Sequence, residues 1–180
     1  MPKVAVVYKT KYGSAEQYAN WIREELDADL YEIGEANTRV LLEYDSIIYC
    51  GGIYESAVYG FSAFTKKHYE SINHKNVVLV GVGASSDIKK SIEGMQRYNL
   101  NEEMYWKIKS FYIRGRLDYS IMSKFYRFKM FMLKKVIESK KLQDEDSLGI
   151  LATYGKKANF VEKESVEPIV HYVKAVSKDL

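Results

Sequence analysis

The chain has 180 residues, 47% hydrophobic and 28% charged, with 27 Lys or Arg against 24 Asp or Glu for a net charge of +3. That length suits one domain with a sizeable core, and basic residues without a recognised reading motif argue against nucleic acid as a partner. Cys50 is the one cysteine, which excludes an internal disulfide and fits a reducing compartment, so the cytoplasm is expected. No apolar run approaches the roughly 18 residues of a membrane span, and no cationic stretch followed by an apolar one opens the chain.

The first element is the apolar run Val4-Ala5-Val6-Val7-Tyr8, which suits a strand buried on both faces. Its carboxyl end leads into Thr10-Lys11-Tyr12-Gly13-Ser14-Ala15, where hydroxyls and a glycine suit a loop that wraps a phosphate at a helix N-terminus. Tyr18, Trp21, Ile22 and Leu26 then recur at helical spacing with one buried face. Further strands are expected at about 29 to 33, at Ser46-Ile47-Ile48-Tyr49-Cys50, at Asn76 to Val82 and at Lys107 to Ile113. Strands alternating with helices give a doubly wound parallel sheet, whose ligands lie beyond the carboxyl ends of the strands at the topological switch point.

The turns after the strands are therefore the places where a site is expected. After the third strand comes Gly51-Gly52-Ile53-Tyr54-Glu55-Ser56-Ala57-Val58-Tyr59-Gly60, glycines bracketing Tyr54 and Tyr59, rings suited to flank a planar ligand. After the fourth comes Gly83-Ala84-Ser85-Ser86-Asp87, in which Ser86 or Asp87 serves equally well as a helix cap. Neither Gly-x-Gly-x-x-Gly nor Gly-Lys-Ser/Thr occurs, which argues against a dinucleotide fold and a P-loop and for a mononucleotide. His68, His74 and His171 show no metal-ligand spacing with one another or with Cys50, so no metal site is expected.

Thr10 to Ala15 resembles the FMN phosphate loop of the flavodoxin family, with the family's usual final Thr replaced by Ala15. The resemblance implies an α/β fold, a flavodoxin-like doubly wound five-stranded parallel sheet with helices on both faces and an extra helical segment before the last helix. It covers nearly the whole chain, read as one domain over 1–180 with a basic amphipathic insertion at about 120–142. Ile53-Tyr54, Phe61, Phe64, Lys66-Lys67-His68 and Gly115-Arg116-Leu117-Asp118-Tyr119 are similar to one branch, the menaquinone-dependent protoporphyrinogen dehydrogenase group. It implies FMN as cofactor, held by Thr10, Lys11, Tyr12, Gly13, Ser14 and Ala15, with ring contacts from Gly52, Ile53, Tyr54, Tyr59, Gly83, Ala84, Ser85 and Asp87. Arg116 is then placed either to meet an acidic substrate or to pair with Asp118. The implied function is an FMN-dependent oxidoreductase passing electrons from a reduced substrate to a quinone or other acceptor. An electron carrier docking on a redox protein partner is the alternative, as is a flavin-free interaction domain, for which Ala15 is the main reason.

Residues 121 to 141 place Ile121, Phe125, Phe128, Met132 and Val136 on one helical stripe, widened by Met122 and Leu133. Seven Lys or Arg stand against Glu138 there, so the remainder of the +3 chain is net −3. Two readings stand: peripheral contact with the anionic inner face of a membrane, or packing on the chain's own domain with the lysines solvated. Asp144-Glu145-Asp146 reads as a solvated turn, and Pro168 opens a last helix buried through Ile169, Tyr172, Val173 and Val176.

Overall fold

A computed structural model of the chain describes residues 2–139 and 145–177. In chain order the elements are β1 (Val4–Lys9), α1 (Ser14–Leu26), β2 (Asp29–Glu32), α2 (Thr38–Leu41), β3 (Ser46–Tyr54), β4 (Ala57–Val58), α3 (Phe61–Ile72) and β5 (Asn76–Gly83). There follow α4 (Ile88–Asn99), α5 (Glu102–Lys107), β6 (Lys109–Arg114), β7 (Arg116–Asp118), α6 (Lys124–Ser139), α7 (Glu145–Thr153), β8 (Lys157–Asn159), a 3-10 turn at Lys163–Val166 and α8 (Glu167–Val176).

Five strands pair in parallel in the order β2-β1-β3-β5-β6, with Val6 beside Ile48 and Ile48 beside Val78. The apolar runs are continuous because both faces of this sheet are covered, and alternate residues go to opposite sides. Val4, Val6, Ile48, Cys50, Val78 and Val80 pack with Tyr18 and Ile22 of α1 and with Ile169 and Val173 of α8. Ala5, Val7, Ile47, Tyr49, Val77 and Leu79 pack with Leu41, with Phe61, Phe64 and Ile72 of α3, and with Met95 of α4. The chain leaves β1 for β2 on one side and returns to β3 on the other, so the strand order reverses beside β1.

Several expectations need correcting. The run after Cys50 is not one turn: β3 continues through Gly51, Gly52, Ile53 and Tyr54 and folds back on β4 as a two-residue hairpin. Glu55 and Ser56 form its tip in the left-handed region, at φ 53° and 69°. The fifth strand of the sheet begins at Lys109, not Lys107, because Lys107 ends α5, whose Asn101 caps it by accepting the Met104 N–H at 2.9 Å. The helix expected over residues 121 to 141 runs from Lys124 to Ser139, while Lys140, Lys141 and Leu142 lie outside the described residues. Glu145 and Asp146 are not in a turn but begin α7; Asp144 lies outside the described residues.

The segment between β6 and α8 holds a second, antiparallel ribbon, β7 with β8. Gly115 N–H donates to Gly83 O at 2.6 Å and ties the base of the ribbon to the sheet, and Phe160 N–H closes that base by donating to Gly115 O at 3.3 Å. From the α1 side the Tyr18 hydroxyl donates to Arg114 O at 2.7 Å and accepts the Glu162 N–H at 3.1 Å. The ribbon and the two helices it carries are thereby set against the carboxyl edge of the sheet.

Candidate functional site

A cleft of ≈ 680 Å³ opens at the carboxyl ends of β1, β3, β5 and β6. Its floor is made by loops that the strands themselves position. Thr10 Oγ1 accepts the Gly13 N–H at 2.9 Å, and Gly13, at φ 87°, turns the chain into α1. Only a glycine takes that backbone conformation without strain. Ser14 and Ala15, the first turn of α1, line the cleft, where a helix leaves N–H groups without intrahelical partners and favours negative charge. Ser14 Oγ also accepts the Arg116 N–H at 3.1 Å, so one hydroxyl fixes this loop to the ribbon across the cleft.

Of the residues singled out from sequence, Thr10, Tyr12, Ser14, Ala15, Gly52, Ile53, Tyr54, Gly83, Ala84 and Ser85 line this one cleft. Lys11, Gly13, Tyr59 and Asp87 do not. Gly13 serves the turn. Asp87 is a cap: its Oδ1 accepts the Lys90 N–H at 2.9 Å at the start of α4. Tyr59 lies beside Lys9, whose Nζ is 4.7 Å from the ring centroid, and gives its carbonyl to the Tyr49 hydroxyl. Lys11 points its Nζ at tyrosine rings, 4.2 Å from Tyr126 and 5.8 Å from each of Tyr12 and Tyr54.

The glycines of β3 and β5 are used by the protein itself. A Cβ on Gly51 would meet Val58 Cγ1 at 2.6 Å, and one on Gly83 would meet the Tyr112 ring at 2.7 Å. Close backbone approach at these strand ends is thus an internal packing need as well as an opening toward a ligand.

The far wall comes from the inserted segment, which sequence reasoning did not connect with these loops. Met122 and, from α6, Tyr126, Lys129, Met130 and Leu133 line the cleft, with Gly149, Ile150 and Thr153 from α7. Tyr126 meets Tyr54 at 5.4 Å between centroids, and Lys129 is ion-paired with Glu55 at the hairpin tip. Tyr54 in turn touches the edges of Tyr12, at 6.3 Å, and Tyr59, at 5.9 Å. Burial pushes the Tyr54 phenol well above its ordinary pKa, so it stays a neutral donor at physiological pH. The Tyr12 hydroxyl and Arg114 Nε are buried with no hydrogen-bond partner, and both residues line the cleft. Such orphans mark a place where a ligand's acceptor atoms are wanted.

Arg114 and Arg116 both line the cleft, but Arg114 is the less exposed, its guanidinium lying 3.7 Å from the Phe160 ring centroid. Arg116 does not pair with Asp118; its Nη2 donates to Gln17 Oε1 at 3.3 Å, while Asp118 pairs with Lys157 at 3.0 Å. Among the described residues no group of three or more His, Cys, Asp or Glu is arranged to hold a metal. No described helix is long and apolar enough to cross a membrane.

A parallel sheet of order β2-β1-β3-β5-β6 with a loop-floored cleft at its switch point defines a flavodoxin-like fold. The family model of the flavodoxin domain matches residues 5–144, and the chain belongs to that family. Among solved structures, the Trp repressor binding protein from Bacillus subtilis is 18% identical, covering 63% of this chain and 83% of its own, at a TM-score of 0.45. Two-electron reduced Megasphaera elsdenii flavodoxin is 14% identical, with 61% and 84% covered and a TM-score of 0.46. The flavodoxin, WrbA-like protein from Agrobacterium tumefaciens is 18% identical, with 61% and 76% covered and a TM-score of 0.44. These are likenesses of fold. No curated protein sequence matches the chain.

Proposed function

We propose that the cleft binds FMN and that the chain is an FMN-dependent oxidoreductase, taking electrons from a reduced small molecule and passing them to a quinone or other acceptor. The observation that carries this reading is the single cleft in which Thr10, Tyr12 and Ser14 meet Ile53, Tyr54 and Ala84 at the switch point of a flavodoxin-family sheet. Bound there, FMN supplies one- and two-electron chemistry that no side chain provides.

The chain's own residues hold, orient and shield. Ser14, with Thr10 and the N-terminal turn of α1, is set for the phosphate; the turn's unpaired N–H groups supply donors that do not depend on the hydroxyl missing at Ala15. The buried Tyr12 hydroxyl supplies a further donor. Gly52 to Tyr54 and Gly83 to Ser85 lie along the two sides where a flat ring fits. Met122, Met130, Leu133 and Ile150 exclude water from above, and Arg114 offers a cation to an acidic second ligand. No acid or base in the cleft is assigned a proton transfer.

This second wall favours an enzyme with its own substrate over a carrier: a carrier exposes its flavin edge to a protein, whereas here α6 and α7 roof the cleft with apolar side chains. The protoporphyrinogen dehydrogenase type of reaction is the specific form proposed, in the cytoplasm, with residues 121–141 in peripheral contact with the inner membrane face. The chain is read as one unit over 1–180 carrying an insertion at about 120–142. The test is an absorbance spectrum after excess FMN is added and the unbound fraction removed. Retained flavin bands are expected; a colourless protein that rejects FMN overturns the reading.

A further inference from the structure

The helix α6, with Ile121 and Met122 just before it, carries two apolar stripes where a helix serving only its own domain needs one. Met122, Tyr126, Met130 and Leu133 line the cleft, and Ile137 is buried beyond them. Turned away from these, Ile121, Phe125, Phe128, Met132 and Val136 recur at three- and four-residue steps and are 54%, 61%, 61%, 48% and 52% exposed. Those five residues of the stripe read from sequence are therefore not packed on the domain, whereas Met122 and Leu133, which widen it, line the cleft. Five large apolar side chains exposed in a row at helical spacing are the kind of surface that marks an interaction site.

Charge identifies what covers it. Along α6 five cations, Lys124, Arg127, Lys129, Lys134 and Lys135, stand against the one carboxylate of Glu138, while the chain outside 121–141 is net acidic. Two lysines stand by aromatic rings of this helix: Lys129 Nζ, which also pairs with Glu55, is 4.7 Å from the Phe125 ring centroid, and Lys135 Nζ, 3.5 Å from Glu138, is 5.9 Å from that of Phe131, a ring outside the stripe and itself exposed. Apolar side chains bordered by long cationic ones match the headgroup boundary of an anionic lipid layer, where rings enter the acyl edge and ammonium groups reach phosphates.

On its other side the same helix is held by the loops of the cleft, through Lys129 with Glu55, Lys11 with Tyr126 and Tyr54 with Tyr126. We infer that α6 docks on an anionic lipid surface by its outer stripe while its inner stripe closes the cofactor cleft, so that lipid binding and FMN binding strengthen each other. This rests on the FMN reading and the peripheral contact proposed above, and adds the docking face, the lipid chemistry and the linkage. Whatever orders Tyr54, Glu55 and Lys11 orders α6, and by reciprocity the factor by which FMN raises lipid affinity equals the factor by which lipid raises FMN affinity.

The test uses the full chain, with and without FMN, on phosphatidylcholine vesicles with and without phosphatidylglycerol, read by co-sedimentation. Binding is expected only with phosphatidylglycerol, stronger for the FMN-loaded protein, and lowered about tenfold or more in Phe125→Ser/Phe128→Ser, which keeps its flavin and its melting temperature. FMN affinity, read by flavin fluorescence, is expected to rise with the anionic vesicles. Glu55→Gln is expected to keep vesicle binding and weaken that rise. Equal binding to neutral vesicles, undiminished binding by the double variant, or a concentration-dependent dimer that the variant abolishes overturns the lipid assignment. FMN affinity indifferent to vesicles overturns the linkage. A protein that retains no FMN in buffer fails the cofactor reading separately, since vesicle binding is measured without it.

Discussion

Two regions of the molecule use aromatic residues in opposite ways. In the sheet body, Tyr49, Phe61 and Phe64 are at most 1% exposed and lie within 6.4 Å of one another, centroid to centroid. In the inserted segment, Phe125 and Phe128 are each 61% exposed on a helix that packs by its other face. Periodic apolar residues specify that a face will be covered; only the surrounding fold decides whether the cover is the protein's own sheet or something outside it.

That contrast is broken most directly by equal truncations in the two places. Phe61→Ala is expected to cost about 3–5 kcal/mol in urea unfolding, because the cavity beside Tyr49 and Phe64 cannot collapse onto a rigid strand. Phe128→Ala is expected to stay within about 0.5 kcal/mol of the parent. A large loss at Phe128 would mean that α6 is covered by the protein itself.

The cleft floor belongs to the body and should respond as part of it. Thr10→Val keeps the shape of the side chain and removes the acceptor of the Gly13 N–H. Leaving that donor unpaired costs about 1–3 kcal/mol, part of it in the folded loop and part in ligand affinity. The expected outcome is FMN binding weakened about tenfold, equivalent to about 1.4 kcal/mol, with little change in vesicle binding. An unchanged FMN dissociation constant by fluorescence titration would remove this loop from the cofactor site.

The body was legible in the sequence and the insertion only in part, for physical reasons. Val4 to Val7, Ile47 to Cys50 and Val77 to Val82 are continuous apolar runs because both faces of the sheet are buried, so each strand announces itself locally. The loop at Thr10 to Ala15 was legible because a strand, hydroxyls, a glycine and a helix follow in order. The hairpin tip was not, since Glu55 and Ser56 take left-handed backbone without the Asn-Gly or Asp-Gly pair that signals such a turn. The β7–β8 ribbon is three residues on each side, with Arg116 opposite Asn159, and pairing across that much chain leaves no local trace. The period of α6 was legible, but its two stripes interleave, and spacing alone does not say which one faces the cleft. Arg114 was passed over because Arg116 sat in the recognised motif; the Phe160 contact and the buried, unpartnered Nε of Arg114, against the Gln17 bond of Arg116, are features of the fold that no local pattern announces.

The junction between the regions offers a smaller effect. Glu55 is 65% exposed and Lys129 39%, so their ion pair is worth at most about 1 kcal/mol and weakens with salt. Glu55→Gln should therefore leave the melting temperature nearly unchanged while raising amide exchange in α6, as expected if the pair holds the roof in place without supporting the sheet. Faster exchange in β3 as well would mean that the pair is part of the body.

The smallest effect is set by acid. Asp118 Oδ1 accepts the Ser120 hydroxyl at 2.6 Å and its N–H at 2.8 Å, and Oδ2 pairs with Lys157 on the facing strand. Those partners, the Ser120 hydroxyl foremost, hold the carboxyl down at about 2. A carboxylate whose folded pKa lies below its unfolded value of about 3.9 contributes stability above the latter, and that contribution fades as pH falls from about 4 toward about 2. Because Asp118 serves the ribbon and not the sheet, acid should loosen the insertion first: amide exchange should rise across Arg116–Asp118 and Lys157–Asn159 while β1, β3 and β5 stay protected. Asp118→Asn should show the looser ribbon already at neutral pH and respond less to acid in that window. Simultaneous loss of protection in ribbon and sheet would mean that the two regions unfold as one unit, which would dissolve the distinction drawn between them.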